Sequence, residues 1–532
     1  MSRIIYVNLS DETIEEKEHD LAKLYHYGRG LAGWLMEEHV PPGTGRHSPE
    51  NCIVLAAGLF PGTEAPSSGR LILAAKRAND SGIQYLNLAG PFSQKMASLD
   101  INAVVITGRN NKDAPAVLTI CENEIKIQYV PDLKERKVSV TIQYIRKELG
   151  SESAVIGVGP AGEHLLPLAS VFTTYPEGVP VYNCVRGGMG DIFGSKGLKA
   201  VAVTTKAYFQ AKVFDHEKMR ESSKKLARMI VDHPICGGAL PSHGSITLMK
   251  MMKSGRLDFT GKTAATEQKG EVSKEAGSGS VTSSVRINRA CAPRCVVGCL
   301  NRHAGGKQSL LSSPADNEVF AALKEAFEIQ DQEFASAFNR DAFELGIDSV
   351  EFVFTCALLF KILNKKVGKN ELMEALDEVR RLTSLGRILA GGTHGVYRLF
   401  QDRPALEPMV TRPSVTEEGR FNVKLPFKIS GFEDMNDTEY LYALMITFGN
   451  LGLCLFTSFA LIENKEAWRL LSEMFYYKTG LPVHDRDLID YSIQCLKAEQ
   501  AYELRAKTQS VQKVIPEFVK VLYRYFGKEV AD

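Results

Sequence analysis

Three short, nearly uninterrupted apolar runs stand out in the first 206 residues: INAVVIT (101–107), SAVIGV (153–158) and LKAVAV (198–203). A continuous apolar run of this length, unlike a strict in–out alternation, predicts a strand covered on both faces. Between the runs lie GRGLAGWLMEEH (28–39) and VTIQYIRKEL (140–149), whose spacing predicts helices. This interleaving predicts an α/β domain over 1–206, a saddle of buried sheets with two covered layers. From about residue 212 the period becomes helical throughout. The stretches 218–233, 317–329, 348–363, 371–384, 440–448, 466–477 and 488–505 all carry it. Two mostly α-helical domains are therefore expected, 207–401 and a shorter 402–532. The polar, Gly/Ser-rich stretch 262–284 predicts a long exposed loop, and the Pro-bearing stretch 402–431 a separator between helical regions.

Composition narrows the class without naming a chemistry. Apolar residues make up 44% and charged residues 24%, ample for a core. Lys+Arg minus Asp+Glu is 64 − 63 = +1, so no basic excess points to a nucleic acid. No apolar run approaches the ~20 residues that span a bilayer, and MSRIIYVNLS lacks the apolar core of a secretory signal. A cytoplasmic protein with reduced thiols is the expectation. Ten cysteines in 532 residues are too few for a disulfide scaffold.

Three of those cysteines form a pattern. In RACAPRCVVGCLNRH (289–303), Cys291, Cys295 and Cys299 recur every four residues, with His303 four further on. Thiolates this close in sequence suit a soft metal or an iron–sulfur cluster, and Pro293 argues against a regular helix as the cause. Two readings stay open here. Cys291, Cys295, Cys299 and His303 could close a tetrahedral zinc site, or the three thiols hold part of a [4Fe–4S] cluster that a distant cysteine completes. A second pattern is glycine: GVGPAGE (157–163), RGGMG (186–190) and GSKG (194–197) hold eight of the nine glycines within 157–197. Such loops bring backbone N–H groups close to an anion. Neither a P-loop nor a convincing dinucleotide fingerprint is present, because Lys196 follows Ser195 and Pro160 interrupts the helix start.

The runs GPAGEHLLPLAS (159–170) and RGGMGDIFGSKGLKAVAV (186–203) closely resemble the tungsten-containing aldehyde:ferredoxin oxidoreductase family. GRGL (28–31), PSSGR (66–70) and NLAGPF (87–92) follow in family order, and ELGID (344–348) and NLGLC (450–454) are islands further on. The resemblance implies an N-terminal saddle carrying a tungsten or molybdenum bis-pterin, with electrons passing through a [4Fe–4S] cluster to ferredoxin or a small iron–sulfur subunit. The substrate would be a small aldehyde and the assembly a homodimer. Carried over residue by residue, it implies Arg70, Asn87, Arg186, Gly187, Gly188, Ile347, Asp348 and Leu455 at the cofactor. The cluster ligands would be Cys291, Cys295, Cys299 and Cys454. Glu318 is the closest match to a glutamate lining the family's substrate pocket, where it would assist proton transfer.

The departures matter as much. The first two cysteines are normally spaced C-x-x-C, whereas Cys291 and Cys295 stand one residue further apart. Phe343 and Gly449 occupy the positions of two family aspartates that hydrogen-bond the pterin rings; each lost charge-assisted bond is worth roughly 1.5–3 kcal/mol. Ala89 and Ser93 replace customary glycines, and His394 lies in a context that matches no family motif. A rival expectation follows: a paralogue that keeps the fold and cluster, lacks the pterin, and serves in electron transfer or structure. Asp348 also reads as a helix cap for DSVEFVF, with Glu351 three residues on.

Overall fold

The computed structural model describes residues 2–19, 27–77, 82–176, 181–206, 209–245, 247–248, 287–302, 314–400, 425 and 428–509. His303, the stretch 262–284 and most of 402–431 lie outside these residues. The first domain is built on two six-stranded sheets. One contains β1 (Ser2–Asn8), β2 (Thr13–His19), β3 (Ile53–Ala57), β4 (Arg70–Lys76), β5 (Ile83–Ala89) and β6 (Ile101–Thr107), ordered β2-β1-β6-β3-β4-β5. The other contains β7 (Ala116–Ile120), β8 (Ile125–Tyr129), β9 (Ala154–Val158), β10 (Ser170–Thr174), β11 (Tyr182–Met189) and β12 (Leu198–Val203), ordered β11-β10-β9-β12-β7-β8.

The unbroken apolar runs have a specific cause. The sheets pack face to face, with Leu55, Leu73, Val104 and Ile106 meeting Leu118, Ile156, Val171 and Val201. The outer face of the first sheet is covered by the helix Gly28–His39 through Leu31, Leu35 and Met36. The helix Val138–Leu149 covers the second through Val138, Ile142 and Ile145. Every central strand is thus apolar on both sides, although only β1–β6 and β7–β12 are parallel pairs. Coverage by a second sheet and a helix produces the same sequence signature as a buried parallel sheet.

The helices form two further cores. Pro314–Phe327, Gln332–Leu345, Ser349–Ile362, Lys369–Arg380, Ser384–Leu389 and Gly392–Leu399 pack around Phe338, Phe352 and Leu372, and meet the first domain through Leu166 and Leu168. Gln332–Leu345 was not evident from periodicity. Its ends are marked by Asp331, which caps Phe334 N, and by Gly346 in the left-handed region. The other core joins His216–Asp232 to Asp437–Leu451, Lys465–Thr479 and Asp485–Gln509 through Met219, Phe448, Trp468 and Leu488. Val297 and Cys299 belong to this second core. Among the described residues no helix is long and apolar enough to cross a membrane.

Candidate cluster and cofactor site

The loop between β3 and β4 brings distant segments together. Gly58 lies against Gly452 so closely that a Cβ on it would stand 2.2 Å from Gly452 N. That approach lets Leu59 N donate to Asn450 O at 3.0 Å and Phe60 N to Leu451 O at 3.0 Å. Further along, Arg70 N donates to Gly452 O at 3.2 Å, which seats the guanidinium beside the residue two places on. Arg70 Nη2 donates to Cys454 Sγ at 2.9 Å. The cysteine loop comes in from the other side, where a Cβ on Gly69 would meet Ala292 Cβ at 2.4 Å.

Four thiols share this partly buried arginine. Burial opposes the Arg70 charge, but Cys454 and Cys291, with Cys299, hold it above its ordinary value. Cys291, Cys299 and Cys454 are buried and Cys295 is partly exposed. A hydrogen bond between Cys291 and Cys295 raises the first and lowers the second, aided at Cys295 by Gly298 N at 3.5 Å. Desolvation pushes Cys299 upward. Among the described residues no three His, Cys, Asp or Glu side chains are drawn around a single-ion position.

A second group sits where the edge strands β5 and β11 meet. Gln84 Nε2 donates to Gly187 O, and Gly187 N donates to Asp348 Oδ2 at 3.3 Å. Gly187 and Gly188 both have positive φ, +107° and +83°, so the turn requires glycine. Arg186 Nη1 pairs with Glu318 Oε2 at 2.9 Å. Burial works against the Arg186 charge, and Glu318 with Asp348 more than offsets it. Asp348 Oδ1 caps Glu351 N at 3.0 Å, whereas the Glu351 carboxylate accepts from Thr393 N and Oγ1.

The remaining sequence candidates are scattered between these groups. Asn87 pairs with Ile72 across β4–β5, and its Oδ1 is buried with no hydrogen-bond partner among the described residues. Ile347 is fully buried and bridges to Ala169 in the helical core. Leu455 opens the turn after Cys454 and is 37% exposed. Thus Arg70 and the four cysteines form one group, Arg186, Gly187, Asp348 and Glu318 another, and β5 runs between them. Sequence reasoning missed Ser67, whose backbone and side chain contact both cysteine segments; the signal was its place in PSSGR beside Arg70.

Residues 4–205 match the family model described as the aldehyde ferredoxin oxidoreductase N-terminal domain. The chain is 29% identical over 372 residues to the tungsten-containing aldehyde ferredoxin oxidoreductase of Pyrococcus furiosus, covering 69% of this chain and 60% of that protein. It is 24% identical over 557 residues to the protein of the same name from Thermococcus kodakarensis, covering 95% and 88%. The chain is thus similar to aldehyde ferredoxin oxidoreductases at low identity, and residues 4–205 carry the match to that family's N-terminal domain. Among solved structures, the active-site complex BamBC of benzoyl coenzyme A reductase superposes with a TM-score of 0.72. At 17% identity, covering 99% of this chain and 94% of that one, the likeness is one of fold.

Phe343 and Gly449 have distinct environments. Phe343 is buried against Phe172, Ile142 and Cys184, with its ring 6.4 Å from that of Tyr182. Its neighbour Glu344 is engaged elsewhere, accepting from Ser139 Oγ at 2.8 Å and Tyr182 OH at 2.9 Å. Both Glu344 carboxylate oxygens are thus already engaged, and Phe343 offers no side-chain acceptor. Gly449 differs: a Cβ there would meet only Ile72 Cδ1, at 3.8 Å. A Cβ at that position would thus find room.

Proposed function

We propose that this chain is an oxidoreductase of the aldehyde ferredoxin oxidoreductase type, converting an aldehyde to a carboxylate or the reverse. Its electrons pass through a [4Fe–4S] cluster to ferredoxin or a small iron–sulfur subunit. The convergence of Cys291, Cys295, Cys299 and Cys454 on the partly buried Arg70 carries this reading. Four largely buried thiols around a fixed cation suit an anionic iron–sulfur cluster, because the guanidinium offsets charge that burial would otherwise disfavour.

The residues also offer contacts to a tungsten or molybdenum bis-pterin. Asn87 presents an unpartnered buried oxygen, and Arg186, at the head of the Gly187–Gly188 turn, presents a cation. When bound, such a centre supplies two-electron chemistry on the substrate carbon. Arg186 orients Glu318, whose carboxylate is held where it can accept a proton from substrate. A second reading has one observation in its favour: Phe343 packs as core where the family supplies a carboxylate. On that reading the chain keeps the cluster, lacks the pterin and serves in electron transfer.

Elemental analysis of protein purified without oxygen separates the readings. About four irons with one W or Mo per chain supports the enzyme. Iron without W or Mo, from a host that makes the cofactor, supports the electron-transfer subunit. Zinc alone refutes both.

A further inference from the structure

We infer that Ser67 is a positioning residue for the thiol set, registering the loop 291–299 against the segment that carries Cys454. The inference rests on the cluster reading above. Ser67 is 2% exposed, and all three of its hydrogen-bonding groups are spent on these two segments. Its N–H donates to Arg294 O at 2.8 Å, and its carbonyl accepts from Cys454 N at 2.8 Å. Its Oγ accepts from Val296 N at 3.2 Å. The residues on either side of Cys295, and Cys454 itself, are therefore tied to one residue of a third segment.

The backbone supports the same assignment. Ser67 has φ +53° and Arg294 has φ +61°, the left-handed region that a residue with a Cβ avoids. Such strain persists where surrounding contacts over-determine it. The left-handed residue after Pro293 turns the chain within the long Cys291–Cys295 spacing, allowing those two thiols to interact. Ser67 N–H grips the carbonyl of that turn, while the Arg294 side chain lies outside over the Phe209 ring at 4.3 Å. Ser67 therefore holds the turn that accommodates the wider spacing.

Ser67→Gly removes Oγ together with Cβ, and because glycine holds the left-handed backbone without strain, the turn itself is kept. Ser67→Ala removes the same bond and keeps the Cβ. Full-length protein would be reconstituted anaerobically with ferrous iron and sulfide. Iron per chain, the rate of iron loss to a chelator, the EPR spectrum of the reduced protein and apoprotein melting would be measured. Both variants should lose iron roughly three- to tenfold faster than wild type. Their EPR g values should shift, while Ser67→Gly apoprotein melts like wild type. Wild-type iron retention and EPR in both variants would overturn the role of Ser67 and leave the cluster reading standing. A wild-type chain that takes up no iron would overturn both.

Discussion

Gly58→Ala tests the physical basis of the site most directly. The added Cβ would stand 2.2 Å from Gly452 N and 2.3 Å from Gly452 Cα, with Leu451 C at 2.7 Å. These are backbone atoms, so no rotamer change relieves the clash, and the two segments must part by about 1 Å to restore ordinary contact. That movement stretches Leu59 N–Asn450 O and Phe60 N–Leu451 O, both 3.0 Å now, beyond hydrogen-bonding range. Two net hydrogen bonds at about 1 kcal/mol each, with overpacking of about 1–3 kcal/mol, give a loss of roughly 3–5 kcal/mol. Because Cys454 lies two residues beyond Gly452, the same movement withdraws it from Arg70. Scanning calorimetry of the apoprotein should show a midpoint lower by about 3–5 °C, and iron content after reconstitution should fall. Gly395→Ala is the control, since nothing lies within 4 Å of a Cβ there. A Gly58→Ala protein that melts within a degree or two of wild type and holds full iron would refute the close-approach argument.

Other perturbations test the frame around the site. Asp191 is buried and accepts from Arg46 Nη2 at 2.7 Å and His47 Nε2 at 2.7 Å. Asp191→Asn should cost about 3 kcal/mol by leaving the Arg46 charge unpaired in a mostly buried position, read by urea denaturation at neutral pH. Burial opposes the Asp191 charge, but Arg46 and His47 hold its pKa below the ordinary value. Its stabilisation is therefore present above the unfolded carboxyl value and lost as pH falls through the folded one. The variant should consequently show shallower acid destabilisation, and an unchanged acid limb would count against this. Burial lowers Lys196 to about 8. Between that value and its unfolded one, the unfolded chain holds the proton the folded chain has released, so rising pH favours folding by up to roughly 3 kcal/mol. The stability difference between wild type and Lys196→Met should track this rise from pH 8 to 10; a flat difference would refute it. Finally, Gly449→Ala should change stability by less than about 1 kcal/mol, because its Cβ would meet only Ile72 Cδ1, whereas Phe343→Asp, burying an unpaired charge, should cost several. Equal melting shifts for the two would contradict the environments described.

Much of the frame was legible because burial is written locally in a chain. The predicted helices at 28–39, 140–149, 218–233 and 466–477 correspond to Gly28–His39, Val138–Leu149, His216–Asp232 and Lys465–Thr479. An amphipathic face recurs every few residues whatever it packs against, so periodicity alone reports it. Gln332–Leu345 escaped because its caps, Asp331 and Gly346, marked it more clearly than its apolar spacing did. The apolar strands announced coverage on both faces, but a run such as LKAVAV reads the same beneath a helix or a second sheet.

The cysteine triplet and the Arg70 motif were visible in the sequence as chemistry. Their meeting with Cys454 was expected only through the family resemblance, and its physical cause is tertiary: two glycines, Gly58 and Gly452, let backbones from opposite ends of the chain touch. Likewise, Arg186 and Glu318 were singled out separately, and only the packing of Pro314–Phe327 against the first domain joins them as an ion pair. The sequence by itself determined the elements and the kinds of side chain they carry, since these follow from local periodicity and residue chemistry. Tertiary structure decided which groups share a site, because through-space distances of 2–4 Å are set by close packing between segments that no local pattern relates.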